Sequence, residues 1–443
     1  KRQDSDDGGY NFDATDPLGH NETKASAYRV DVSLGVKDVI ENGRGRFTFY
    51  RQDREAGYAA PGQTTERDVT QYGGTAEMPL GESFEARAKL DRQVQQDGLE
   101  TDAGEVNLDY KMTEKWILSS GVRHDNREDN SAIVPQTQEV GERTDAVVKM
   151  KYDSLSRWAT YGFVQETVNT TGNRDENRRV GIGGDLRLTE RLNLVGEVSE
   201  GDLGPAGKIG TEYLFSDKTT LYQNYTLENE RSDNGLLARK GNLTSGFRTR
   251  YSDSMSVFLE EHYSHGDIPT GLTHSTGVDL AATERLNLGA NLDFGSLKDP
   301  QTAAEIDRKT IGGSVGYGFE NVKLASGLEY RVDETEQPDT DFTKRISWLF
   351  KNNLKYQISQ DWRLIGKFNY SLSESSLGDF YDGNYTEAVL GFGYRPIYHD
   401  RLNVLLKYTY FYNLPPADQT SDGNTPVGYI QRSHIGAVDF MYD

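Results

Sequence analysis

The residues able to do chemistry are thinly spread along this chain. Seven histidines stand at His20, His124, His262, His265, His274, His399 and His434. The tightest grouping is His262-x-x-His265 with Asp267 just beyond, a set of types that can ligate zinc. On a strand, positions i and i+3 point to opposite faces, which spoils a bidentate grip. Polar residues near a loop end are therefore the better reading of that motif. Cysteine is absent, which removes disulfides, thiolate metal sites and cysteine nucleophiles. No phosphate-binding loop and no local Ser–His–acid signature is visible. No catalytic or cofactor-binding residue is assigned, and no enzymatic activity is expected.

Two acidic clusters offer oxygen ligands of the kind calcium takes. One is Asp379, Asp382 and Asn384; the other is Asp333, Glu334, Glu336, Asp339 and Asp341. Neither has the spacing of a helix–loop–helix calcium loop, so solvated loop charge is the plainer reading. Asp379, Asp382 and Asn384 are the candidates for a structural calcium ion.

The elements that would carry these residues follow from composition and period. The chain has 443 residues and a formal net charge of −21, which argues against a general affinity for nucleic acid. Hydrophobic residues make up only 35%, a value that alone fits a disordered or very polar chain. The 26 Tyr, 17 Phe and 46 Gly argue for strands and turns instead. No apolar run is long enough for a transmembrane helix, and KRQDSDDGGYNFD is no signal peptide.

Alternation of period two is the dominant pattern. Trp348, Phe350, Asn352, Leu354 and Tyr356 share one face of a strand, with Leu349, Lys351, Asn353 and Lys355 on the other. After Ser359-Gln360-Asp361 the pattern resumes as Trp362, Leu364, Gly366, Phe368, Tyr370 and Leu372, opposite Arg363, Ile365 and Lys367. The hexapeptide TERLNL occurs at 189–194 and at 283–288, each time at the same kind of turn. Counting such units gives about eleven hairpins at a spacing of roughly 36 residues. The expected class is all-β: a large antiparallel transmembrane β-barrel of about 22–24 or more strands. Its short turns would be periplasmic and its long acidic loops extracellular. The long loops are expected at 51–68, 124–144, 169–178, 333–341, 373–384 and 415–426.

In this reading residues 1–27 are a polar lead-in and 28–443 are the barrel. Trp116, Trp158 and Trp362 near the turns, and Tyr408, Tyr410 and Tyr412 toward the loops, are expected at the lipid interfaces. Lys351, Lys355, Arg363 and Lys367 are expected to face the lumen. A wide lumen with no plug in the sequence would be open, filled by loops, or occupied by another polypeptide.

The stretches HSTGVDLAATERLNLGANLDFGSLKDP, LASGLEYRVDETEQPD and GDFYDGNYTEAVLGFGYRPIYHDRLNVLLKYTYFYNLPP add a resemblance. Together they resemble the C-terminal outer-membrane barrel of very large bacterial surface proteins that carry adhesin-type repeats. The resemblance covers about half the chain and transfers no functional residue. It implies a bacterial outer-membrane location, with lipid and lipopolysaccharide as surroundings and surface domains upstream. It also implies further strands beyond Tyr442, because the strand from His434 to Tyr442 otherwise has an open edge. The leading function is then membrane anchor or conduit of a surface protein. The alternatives are a wide diffusion or transport porin and a sheath around a separate partner protein.

Overall fold

The alternating stretches are hydrogen-bonded strands in a computed structural model. It describes residues 2–10, 20–38, 40, 43–60, 63–65, 67–132, 134, 139–231, 237–337, 340–378, 381–399, 402–414 and 429–442. In chain order the first strands are β1 (Arg2–Tyr10), β2 (His20–Gly35), β3 (Arg46–Arg54), β4 (Ala59–Ala60), β5 (Gln63–Thr64), β6 (Val69–Leu80) and β7 (Phe84–Gln95). Then come β8 (Leu99–Lys111), β9 (Trp116–Asp129), β10 (Gly141–Asp153), β11 (Trp158–Thr170), β12 (Arg179–Arg187), β13 (Leu192–Gly201) and β14 (Ala206–Ser216). The series continues with β15 (Thr219–Arg231), β16 (Leu237–Arg250), β17 (Met255–Gly266), β18 (Thr270–Ala281), β19 (Leu286–Lys298) and β20 (Glu305–Gly318). It ends with β21 (Val322–Gln337), β22 (Thr340–Gln357), β23 (Trp362–Ser375), β24 (Gly383–Tyr394), β25 (Leu402–Leu414) and β26 (Tyr429–Tyr442). The short β4 and β5 pair only with each other; the other strands form one antiparallel sheet of 24. Two short 3-10 turns, Val36–Asp38 and Ile397–His399, interrupt two connections, and no α-helix occurs among the described residues.

Neighbours in sequence are neighbours in the sheet, and β26 pairs with β25 on one edge and β1 on the other. In turn β1 pairs with β2. Residues 2–10 and 20–27 are thus part of the sheet, and β26 has a hydrogen-bonded neighbour on each side. The segment RQDSDDGGY shows no apolar alternation, yet its main-chain groups find partners on both sides. Hydropathy is blind to that kind of pairing.

The expected long loops are shortened for a related reason. Residues 333–337 continue β21 and 340–341 begin β22, so most of the loop expected at 333–341 is hairpin. Strands also run on to Thr170 and Ser375. Above the apolar zone both strand faces are polar, so the alternation fades while the ladder persists. At one end of the sheet most turns hold two to four residues, from Gly81 to Ser83 through Ile358 to Asp361. At the other end connections range from two to 14 residues, so the short–long contrast is looser than the sequence suggests.

The recurring turn has an atomic cause. In TERLNL the Thr283 hydroxyl accepts hydrogen bonds from the amides of Arg285 (3.2 Å) and Leu286 (3.0 Å). Thr113 does the same for Lys115 and Trp116, and Ser359 for Asp361 and Trp362. A hydroxyl at the first turn position thus satisfies donors the tight reversal leaves unpaired. Thr283→Val should cost about 0.5–1.5 kcal/mol in urea unfolding of the lipid-folded protein, and Thr283→Ser should restore it. Equal stability of all three proteins would show that the cap carries no weight.

The apolar face is exposed. Val30, Val32 and Leu34 on β2, Val180 and Ile182 on β12, and Leu390 and Phe392 on β24 all lie open. The buried apolar cluster is small: Ala25 and Ala27 on β2 with Tyr58, which lies in the connection between β3 and β6. A single sheet this large with one bare apolar face needs a non-aqueous neighbour.

Candidate functional site: a basic strip on the polar face

Lys351, Lys355, Arg363 and Lys367 lie on the polar face, opposite the side chains of Trp348, Leu354 and Phe368, and the sheet brings them together. Register adds Lys323, which stands directly across from Lys355, a residue in turn opposite Ile365. That row continues through Gly391 to Lys407. One row on, Lys367 is the partner of Asn353 and Val389; one further, Lys351 is the partner of Gly327 and Asn369. Six basic side chains therefore occupy one patch of four strands, β21, β22, β23 and β25.

Compensation is sparse. Lys367 Nζ meets the two oxygens of Glu387 at 2.9 and 2.8 Å. Glu387 is buried and also accepts from Asn369 (3.0 Å) and the Tyr385 hydroxyl (3.1 Å). Arg363 donates to Gln357 at 3.0 Å. Lys323, Lys351, Lys355 and Lys407 form no ion pair among the described residues. Like charges directly opposite in a ladder are destabilising, so the Lys323–Lys355 pair opposes stability. The sequence hid Lys323 because its partner is set by register, not by local pattern.

Beside the strip the polar face is low. Ala281, Gly289, Ser314, Gly316, Ala325 and Gly327 line a recess of about 650 Å³ that reaches Lys351. Ser314 sits in Gly312-Gly313-Ser314-Val315-Gly316, which fits the Gly-x-Ser-x-Gly spelling of a hydrolase elbow. Here it is mid-strand, with Gly289 and Gly327 as its cross-strand partners, so it lacks the sharp strand-to-helix turn of an elbow.

Elsewhere the polar face is more evenly paired. Arg87 pairs with Asp109, and Lys208 lies 3.6 Å from Glu197. A loop segment packs back onto this face: Arg174, almost fully buried, pairs with Asp125 and lies 3.9 Å from Glu139. Burial pushes the Arg174 guanidinium below its ordinary pKa. Burial likewise pushes the Tyr58 hydroxyl up to about 12.

The other sequence candidates are placed as follows. His262 and His265 take opposite faces. His262 contacts Thr244 (3.1 Å) and Glu260 (3.2 Å) on the polar face; His265 lies against Tyr225 and Tyr263 on the apolar one. Asp267 accepts from the Arg239 amide at 2.6 Å. Asp379 lies outside the described residues. Asp382 accepts from the Ser375 amide at 2.7 Å, and Asn384 Oδ1 is shielded without a hydrogen bond. Asp333 is held by Arg308 (2.7 Å) and Arg331 (3.3 Å), and Glu334 by Lys344 (3.3 Å). Among the described residues no three acidic or histidine side chains converge to hold a metal ion.

Trp116, Trp158 and Trp362 stand on the apolar face at strand ends, whereas Tyr408 is at the middle of β25, with Tyr410 and Tyr412 following toward its loop end. Trp116 and Trp158 flank Tyr152 at 4.8 and 5.0 Å, and Trp362 packs on Tyr394 at 4.7 Å. The Tyr408 hydroxyl lies 2.7 Å from His434 Nδ1, Tyr410 packs on the same ring, and Tyr412 receives Arg432 at 5.9 Å.

No protein-family model and no curated protein sequence matches the chain. A ferric enterobactin receptor mutant from Pseudomonas aeruginosa is similar over 99% of this chain and 80% of its own, with TM-score 0.53 and 8% identity. The siderophore receptor PirA from the same organism matches 98% of this chain and 79% of its own, with TM-score 0.48 and 8% identity. An anion-selective porin from Comamonas acidovorans matches 64% of this chain and 93% of its own, with TM-score 0.34 and 14% identity. At these identities the likeness is one of fold, and the fold is that of bacterial outer-membrane β-barrel proteins.

Proposed function

We propose that the chain closes into a 24-stranded transmembrane barrel of a bacterial outer membrane and works as a wide, porin-like conduit for anionic cargo. In this reading the polar face lines the lumen, the short turns are periplasmic and the longer connections are extracellular. The observation that carries it is the row of uncompensated lysines, with Lys323 directly opposite Lys355. A repulsive pair kept on a lumen wall is best explained by what passes along it.

Magnitudes limit the claim in a useful way. With strands ~4.8 Å apart and tilted ~40°, such a barrel is on the order of 50 Å across. Charge is screened within ~8 Å at physiological salt. A wall strip then acts on what touches or skirts it, and not on the whole cross-section. Planar-bilayer recording should show large conductance with a modest chloride preference at 0.1 M salt that fades at 1 M. Reversing Lys323, Lys351, Lys355 and Lys407 to Glu should invert the preference. An inserted barrel with no conductance, or one indifferent to the four reversals, would overturn the conduit reading.

A second reading, a sheath around a separate partner protein, is favoured by the low recess from Ala281 to Gly327 beside the strip. Small residues let a solid surface approach the wall, with the lysines at its flank. Co-purification of a lumen-filling polypeptide from native membranes would test it. The role of anchor for a large surface protein draws on the sequence resemblance alone. Structural calcium and lipopolysaccharide contact stay proposals, to be tested by calorimetric titration.

A further inference from the structure

Across four consecutive strands the apolar face carries a row of polar side chains where lipid would be expected. Gln223 on β15 is the cross-strand partner of Ser245 on β16, Ser245 of Glu261 on β17, and Glu261 of His274 on β18. Glu261 lies between Leu259 and Tyr263 along its strand, both exposed on the apolar face. Glu261 Oε1 and His274 Nδ1 are 3.3 Å apart, and half of the Glu261 side chain is open to the surroundings. Glu261 stands six residues along β17 from its short-turn end. At ~3.3 Å per residue and ~40° tilt that is about 15 Å above the turn, near the middle of an apolar band ~25 Å tall. A carboxylate half open to lipid at that depth is costly and marks an interaction.

We propose that the β15–β18 outer face is an interface inside the bilayer, and that its occupant is a second copy of this chain. The inference rests on the transmembrane reading above. The argument is charge complementarity under symmetry. Two copies in one membrane share orientation, so a two-fold axis between them runs along the membrane normal. Placed beside the β17–β18 boundary, that axis sets β17 of one copy against β18 of the other. Glu261 of each copy then meets His274 of its mate, because the two residues are direct partners in the ladder. The contact is reciprocal and withdraws both side chains from lipid. Phe294, the other ladder partner of His274, is exposed on this face and packs on the imidazole at 4.9 Å, so it offers the mate an apolar contact beside the polar pair.

The test uses the full chain folded into lipid nanodiscs and read by native mass spectrometry. Insertion is checked separately by bilayer conductance and strand content. The wild type should be a dimer. Glu261→His places histidine against histidine, and His274→Glu places carboxylate against carboxylate; each alone should be monomeric. Mixed before reconstitution, the two variants should form a heterodimer, and the double swap in one chain should restore the homodimer. A wild-type monomer in an inserted barrel would overturn the interface while leaving the membrane reading intact. So would a dimer that both single variants keep. Failure to insert would sink the membrane reading and this inference with it.

Discussion

Removal of residues 1–10 should abolish assembly of an intact barrel. In the proposed closure β1 stands between β26 and β2, paired from Arg2↔Gly436 to Gly9↔Tyr429 on one edge and from Arg2↔Tyr28 to Tyr10↔His20 on the other. Its neighbours both run antiparallel to it, so they run parallel to each other. Take β1 away and the 23 remaining sheet strands cannot close with antiparallel pairs throughout, because alternation demands an even number. The two bare edges would expose main-chain donors and acceptors, each costing several kcal/mol where no water can reach. The expected outcome is loss of the compact, heat-modifiable band on cold gels and exposure of the whole chain to protease. A synthetic peptide of residues 1–10 added during folding should restore part of the compact form, since the missing contacts are main-chain ones. Normal folding of the truncated chain without peptide would show that β1 does not close the sheet.

The same strand shows where sequence reading succeeds and where it stops. The run from Trp348 to Leu372 announces its hairpin because apolar and polar faces alternate across a bilayer-length strand. The polar segment RQDSDDGGY announces nothing, because one of its edges is supplied by a strand more than 400 residues away. The loop expected at 333–341 fails in the opposite sense. Both faces there are polar, so a strand looks like a loop until its ladder partners are known. That Lys351, Lys355, Arg363 and Lys367 share the polar face is legible from alternation alone. The repulsive pairing of Lys323 with Lys355 is not, because register between strands is a property of the assembled sheet. His262 and His265 were separable from sequence, since strand geometry alone assigns them to opposite faces.

Alternation also sets the sharpest mutational contrast, at Leu406 and Lys407. Leu406 is exposed on the apolar face, between its cross-strand partners Phe392 and Val438, both also exposed. If that face meets lipid, Leu406→Arg places a cation near mid-bilayer at a cost of about 2–4 kcal/mol. Lys407 belongs to the basic strip on the other face, so Lys407→Ala should change stability by less than about 0.5 kcal/mol. Folding titrations in urea with lipid vesicles measure both on one scale. The ordering is the discriminating feature. A soluble sheet with water on both faces would tolerate Leu406→Arg, because an exposed leucine there loses nothing by becoming charged. A barrel with the opposite facing would tolerate Leu406→Arg and gain from an apolar change at Lys407, which would then replace a cation facing lipid. A large loss at Leu406 with silence at Lys407 therefore fixes the presence of lipid and the direction of the lumen together, and with them the side from which cargo meets the lysines.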